Sequence, residues 1–367
     1  MFCHLLFPLA KYSILFNVFR YVTFRSIGAF ITSLIISLLV GPAFIRLLKR
    51  KSAVETIDDD LPEKHRLKQG TPTMGGIIIL VSLLLSSLLW NILTNSAILM
   101  MYLTTIWLGI LGFIDDYLKN FVKSKKGLIP RYKLLGQISV GLILTMAIYY
   151  SSPATENLTA LQIPFLKNMY IELGWLFIPF VVFLITGTSN AVNLTDGLDG
   201  LAAGTLAFAA LGLGVMSYLK GNYIAAGYLN LEYISSAGEL TVFISALMGT
   251  LIGFLWFNSY PAQVFMGDTG SLTLGGILAV ISVLLREQIF LVIIGMIFVT
   301  EACSVIIQTS WFKYTKRKYG QGRRVFLCAP LHHHFELKGI HETKIVTRFY
   351  IVAILLVAVG LSTLKLR

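Results

Sequence analysis

The residues of this chain that could do chemistry fall in a few tight groups. Asp115 and Asp116 follow the apolar run Gly112-Phe113-Ile114. A carboxylate inside a bilayer costs roughly 2.5–3.5 kcal/mol on insertion scales, less at an interface. At a helix C-terminus the dipole adds an unfavourable term of about 0.3–1 kcal/mol. Unless the helix end is simply solvated, such a pair calls for a cation, either Mg²⁺ or a lysine such as Lys119. Asn190, Asn193, Asp196 and Asp199 recur at steps of three, with Gly197, Leu198 and Gly200 between and after them. On a helix those steps drift round the circumference, and the glycines favour a tight backbone. The expected picture is a bend wrapping one ligand, with Asp196 near the N-cap of the helix that follows.

Gly267-Asp268-Thr269-Gly270-Ser271 opens another apolar run. Free N–H groups at a helix start suit phosphate, and an acidic side chain there can hold Mg²⁺ against it; Asp268 is the candidate metal ligand. Asn258 and Phe265 just before it are candidates to hydrogen-bond and stack on a base, although a packed aromatic is the plainer role for Phe265. His332-His333-His334 cannot easily converge on one metal, because successive residues point about 100° apart on a helix and to opposite faces on a strand. With Arg323, Arg324 and Lys338 nearby, they suit a phosphate-bearing ligand better. Lys68 and Thr73 precede one span and Lys133 opens another. Each lysine alone is an ordinary anchor at a span end, and together they offer charge to a diphosphate. Glu301 and Gln308 lie seven apart on one helix face, Glu301 as a bundle-facing polar group.

Ten apolar segments would position these groups: 27–48, 75–93, 98–114, 134–150, 173–186, 198–218, 241–256, 272–285, 289–311 and 346–364. A helix needs about 20 apolar residues to cross a bilayer. Among 367 residues, 56% are hydrophobic and 13% charged, against about 25% charged in soluble domains. A soluble enzyme, a disordered chain and a fibrous protein are therefore excluded. The fold class expected is an all-α polytopic membrane protein of about ten spans, a single integral domain over 1–367. Residues 1–24 form an interfacial lead-in, and 312–345 a large cytoplasmic loop. Loops after odd-numbered spans carry 21 of the 30 Lys and Arg residues, and the opposite side carries 8. Basic residues mark the cytoplasmic side, so both termini are expected outside, in the periplasm. Every polar cluster then faces the cytoplasm, as a cleft there. This distribution accounts for the net charge of +12 without nucleic acid. Cys3, Cys303 and Cys328 are too scattered for a disulfide framework or zinc cluster.

One surface thus combines carboxylates with a divalent cation, amides and aromatics for a base, and cations for phosphates, beside lipid. Phosphoryl transfer from a nucleotide-activated group to a lipid phosphate would use all of them. The motifs Gly70-Thr-Pro-Thr-Met-Gly-Gly76, Asp115-Asp116-Tyr117, Asn190 to Gly200, Phe265-Met-Gly-Asp-Thr-Gly-Ser271 and Ala329-Pro-Leu-His-His-His-Phe-Glu-Leu-Lys-Gly339 carry a resemblance. From about residue 18 to the C-terminus the chain resembles the phospho-N-acetylmuramoyl-pentapeptide transferase family. That family lies within the polyprenyl-phosphate N-acetylhexosamine-1-phosphate transferase superfamily. The resemblance implies Mg²⁺-dependent transfer from UDP-MurNAc-pentapeptide to undecaprenyl phosphate, giving lipid I and UMP. It also implies a homodimer in the bacterial inner membrane.

By that resemblance Asp268 binds Mg²⁺, and Asp115 and Asp116 act in catalysis, Asp115 as a base on the lipid phosphate. Lys68, Gly197, Leu198, Asp199, Asn258 and Phe265 resemble a uridine pocket, with Asn193, Asp196 and His333 lining the adjoining cleft. His332 stands with the candidate catalytic residues; Thr73, Lys133, Asn190, Gln308 and His334 stand with the substrate-binding set. Leu61, Ile340-His341 and the long basic stretch Lys316–Arg324 depart from the family pattern. The rival readings are a transferase using UDP-GlcNAc and an ion-coupled transporter. Transporters place carboxylates near the bilayer midplane, often in repeated halves. No repeat is visible here.

Overall fold

The computed structural model describes residues 1–51, 70–122, 124, 127–151, 159–163 and 169–365. Fourteen α-helices carry the described fold. A lead-in of α1 (Phe2–Leu6) and two 3₁₀ turns precedes α2 (Val22–Arg50), α3 (Gly76–Trp90), α4 (Ser96–Asn120), α5 (Pro130–Ser151) and α6 (Phe177–Thr195). Next come α7 (Leu201–Lys220), α8 (Tyr223–Leu229), α9 (Ala237–Asn258) and α10 (Gly267–Leu284). The chain closes with α11 (Gln288–Ile294), α12 (Met296–Tyr319), α13 (Leu331–Leu337) and α14 (Glu342–Ser362). Between α5 and α6, β1 (Ala160–Gln162) pairs antiparallel with β2 (Tyr170–Glu172), Ala160 opposite Glu172.

Among the described residues eight helices are long and apolar enough to cross a membrane: α2, α4, α5, α6 (counted from Gly174), α7, α9, α10 and α14. The chain is therefore a polytopic helical membrane protein. The remaining two expected spans take other forms. Helix α3, at 15 residues, rises only about 22 Å at 1.5 Å per residue, short of a roughly 30 Å hydrocarbon core. The segment 289–311 is broken at Gly295 into α11 and α12, bent by 79°. Hydropathy sums over such a bend without registering it. Helix α12 also continues to Tyr319, so the segment 312–345 opens as helix and contains α13.

Helix α10 is the most enclosed span, with α9 next, while α2 and α14 face outward. Close backbone approach sets α10 in place. A side chain at Gly112 of α4 would run into the Asp268 carbonyl, and one at Gly76 into the backbone of Gly270. Small residues at such crossings are the usual device of membrane bundles. At the end of the bundle away from the polar motifs, two ion pairs are buried. Arg25 donates to Glu239 at 2.9 and 2.6 Å, and the Ile92 N–H adds a bond of 2.9 Å to the same carboxylate. Fully buried Lys220 lies 2.8 Å from Glu287 and donates to the Leu285 carbonyl at 2.8 Å.

Candidate active site

Asp115 and Asp116, neighbours in sequence, have different surroundings. Both are almost fully buried near the end of α4. One oxygen of Asp115 accepts the Leu128 N–H at 2.6 Å. The other lies 2.7 Å from Lys119 Nζ and 3.6 Å from Lys133 Nζ. Asp116 instead meets the start of α10. Its carboxylate accepts the N–H groups of Asp268 and Thr269 at 3.0 and 2.8 Å and the Thr269 hydroxyl at 2.6 Å. The free donors and positive end of a helix dipole stabilise an acidic group there. Of the pair, Asp115 is thus compensated by lysine, whereas Asp116 is held by two backbone N–H groups and a hydroxyl.

Asp268, in the first turn of α10, completes the cluster. Its Oδ2 lies 2.9 Å from Lys119 Nζ and 2.8 Å from Lys133 Nζ. Its Oδ1 accepts from the Asn193 amide at 2.6 Å, and the same amide nitrogen donates to Ser271 at 2.8 Å. Thr73 packs beside Gly267, where an added Cβ would meet its hydroxyl at 3.1 Å. Asp115, Asp116, Asp268, Asn193, Thr73 and Lys133 therefore come together. Among the described residues no three His, Cys, Asp or Glu side chains stand in a metal-binding arrangement. Two carboxylates do converge on one cation, however, since Lys119 Nζ bridges Asp115 and Asp268 at 2.7 and 2.9 Å. Mg²⁺ commonly takes one or two carboxylates and fills its octahedron with water and substrate oxygens, so this pair fits it.

A second group lies where α6 gives way to α7. Asn190 and Asn193 are on α6 itself, and Asp196 is the C-cap of α6 rather than an N-cap of the next helix. The N-cap of α7 is Gly200, in the left-handed region at φ +80°. The connection is therefore tight, as the glycines led one to expect, but it begins later than the run of polar residues. Asp199 N–H donates to Glu342 at 2.7 Å, and its carboxylate accepts the Ala262 N–H at 2.9 Å. Asn258 accepts from Gly200 N–H at 3.1 Å and donates to the Val264 carbonyl at 2.9 Å. Leu198 is buried in a small apolar cluster with Leu201, Ile345 and Val346. Gly197 faces His332, whose Nε2 occupies the space where a Cβ would go.

The three histidines take different partners, although the rings of His332 and His333 lie side by side with centroids 4.2 Å apart. His332 is fully buried, with Nδ1 3.4 Å from Glu301. His333 Nδ1 pairs with Glu336 at 2.7 Å, and His334 Nδ1 accepts the Leu327 N–H at 3.1 Å. Burial holds the His332 imidazole below its ordinary pKa despite Glu301. His334 is also lowered, by desolvation first and then by Lys338. Gln308 spends its amide on the backbone of Val325 and Phe326, which ties down the chain after α12. Phe265 is half-buried and pairs by backbone with Pro72 and Gly75. Lys68 lies outside the described residues.

Some partners were not singled out from sequence. Gln137 accepts from Asn190 at 2.9 Å and donates to Ser189 at 3.1 Å, bridging α5 to α6. Thr269, Ser271 and Glu342 likewise complete contacts with Asp116, Asn193 and Asp199. The hydroxyls beside Asp268 were a visible signal, being in the first turn of the same helix; Glu342 gave none. An apolar groove begins at Leu134, the residue after Lys133. It runs between α5 and α6, lined by Leu134, Ile138, Leu142, Ile178, Val182 and Phe183.

Comparison with known proteins gives concordant results. Residues 98–286 match the family model described as glycosyl transferase family 4. Residues 68–80 match phospho-N-acetylmuramoyl-pentapeptide-transferase signature 1. The chain is 50% identical to the phospho-N-acetylmuramoyl-pentapeptide-transferase of Citrifermentans bemidjiense, covering 100% of each. It is 46% identical to that of Flavobacterium johnsoniae, over 96% of each chain. For the Chlorobaculum parvum protein of the same name the identity is 48%, over 96% of this chain and 95% of the relative.

Proposed function

The chain belongs to the phospho-N-acetylmuramoyl-pentapeptide transferase family, and on that premise we propose that it transfers phospho-MurNAc-pentapeptide from UDP-MurNAc-pentapeptide to undecaprenyl phosphate. The products are lipid I and UMP, and the reaction is the first membrane step of peptidoglycan synthesis. We further propose that it works in the bacterial inner membrane as a homodimer, with ten spans when short α3 and the bent pair α11–α12 count as one each, both termini in the periplasm and the site facing the cytoplasm.

The observation that carries the chemistry is the sharing of Lys119 and Lys133 between Asp115 and Asp268. Four charges from three helix ends meet at one spot, and Lys119 is 44% exposed. Such a cluster can trade its lysine contacts for phosphate oxygens. In the transfer, an oxygen of the acceptor phosphate bonds to the phosphorus attached to the sugar. The bond from that phosphorus to the bridging oxygen breaks, and UMP departs with the electron pair. Asp115 takes the proton from the acceptor phosphate, which raises its nucleophilicity. Lys119 and Lys133 meet the diphosphate and stabilise charge on the departing group. Asp268 would hold Mg²⁺, which when bound neutralises charge on the phosphates. Asp116 fixes the start of α10 and so the position of Asp268. The groove beginning at Leu134, next to Lys133, suits the hydrocarbon tail of the acceptor. The turn from Asp196 to Gly200 and the Phe265 region receive the nucleoside.

The test follows labelled sugar into the lipid fraction. Label from UDP-MurNAc-pentapeptide should pass to undecaprenyl phosphate with one UMP released per transfer, and only with Mg²⁺. Transfer from UDP-GlcNAc in its place would overturn the donor assignment.

A further inference from the structure

We propose that Glu301 is a positioning residue for the donor nucleotide, orienting the His332 ring against the turn from Asp196 to Gly200. This inference rests on the donor reading above and adds a residue to it. Glu301 lies on α12, past the break at Gly295, and is fully buried. One carboxylate oxygen accepts the Leu331 N–H at 2.6 Å, which fastens it to the start of α13. The same oxygen lies 3.4 Å from His332 Nδ1. The other, Oε1, has no hydrogen-bond partner among the described residues, nor has either ring nitrogen of His332. Buried polar groups seldom go unused, and three atoms of this kind at one contact mark a functional arrangement.

The ring is neutral at neutral pH, because burial outweighs the raising effect of Glu301. A neutral imidazole carries one N–H and one lone pair, and its neighbours choose the tautomer. The Glu301 oxygen that lies 3.4 Å from Nδ1 is an acceptor, and it favours the tautomer with the proton on that nitrogen. Nε2 is then left as an acceptor, facing Gly197. The turn is already fastened elsewhere: Asp199 N–H to Glu342, Gly200 N–H to Asn258, and the Tyr350 hydroxyl to the Gly200 carbonyl at 2.7 Å. His332 supplies the support at Gly197, and Glu301 keeps it there.

The test compares Glu301→Ala and Glu301→Gln in the full-length protein in lipid nanodiscs, measuring KM for each substrate, kcat and the thermal midpoint. Glu301→Ala should raise donor KM by about tenfold while acceptor KM stays within about twofold, the pattern of lost binding to one substrate. Glu301→Gln keeps an acceptor oxygen for Leu331 N–H and Nδ1–H and should restore donor KM to within about threefold of wild type. Should Glu301→Ala not fold, Gly197→Ala displaces the same ring from the other side and should give the same split. An unchanged donor KM, equal changes in both KM values, or a glutamine variant as impaired as alanine overturns the assignment. The wild-type arm separates the two readings. If the wild type does not turn over the UDP donor, the donor reading falls; if it does and the split is missing, only Glu301 falls.

Discussion

The two ends of the bundle use the same residue types for opposite purposes. At one end Arg25 meets Glu239 and Lys220 meets Glu287, each a closed partnership with extra hydrogen bonds from nearby backbone. At the other, two lysines are shared between two carboxylates, and one of those lysines is partly open to water. A closed pair has little to gain from a ligand, since breaking it strands a buried charge. A shared cluster can exchange partners without stranding any. Buried ion pairs contribute uncertain net stability, but removing one partner costs about 3–5 kcal/mol. The closed pairs therefore act as clamps, and the shared cluster as a site.

Four outcomes would break or sharpen this contrast. Asp115→Asn should lower UMP release by about 10²–10⁴-fold, the range of a lost general base, with the thermal midpoint in detergent close to wild type. Gly112→Ala should follow, at about 10²-fold. It leaves every charged group in place but pushes the start of α10 away from α4, and displacements near 1 Å can cost that much. Arg25→Gln should invert the pattern. It should destabilise the fold by about 3–5 kcal/mol, read as a lower thermal midpoint, while turnover per folded molecule stays within about twofold of wild type. Activity lost without any change in stability would make that end part of the site.

The smallest effect concerns pH. His332 is faced by Glu301, His333 and Glu336, and its net shift is downward because of burial. The unfolded chain binds the proton more readily, with an ordinary value near 6.5. The contribution of the neutral ring is thus fully present above about pH 6.5 and is lost as pH falls below it, towards the folded value. Thermal midpoints measured across that window should fall on the acid side, and His332→Asn should flatten that slope. An equal slope in the variant would assign it to other groups.

Much of the site was legible because its chemistry is local. Asp268 sits beside two hydroxyl residues at a helix start, and Asp115 carries a lysine four residues on, one helical turn away. The different partners of the three histidines followed from their adjacency. Long-range partnerships were not legible. Nothing near Asp116 in sequence says that its carboxylate caps α10, and nothing near Asp199 points to Glu342. Such pairings depend on where helices cross, which Gly112 and Gly76 decide by what they lack. The fold shows the same division. Apolar length located the spans, but α6 runs on through Asn190 and Asn193, and the 79° bend at Gly295 leaves no trace in hydropathy. A polar residue on a helix facing a site is as much part of a span as a leucine facing lipid.

The most direct measurement is UMP release by Asp268→Asn, in the presence of UDP-MurNAc-pentapeptide, undecaprenyl phosphate and Mg²⁺, alongside the thermal midpoint of the same preparation. If the shared cluster is the reaction centre, turnover falls by about 10³-fold or more while the midpoint holds. Near-normal turnover, or a loss that only tracks unfolding, would show that the charges gathered at this end hold the bundle together and that the transfer happens elsewhere.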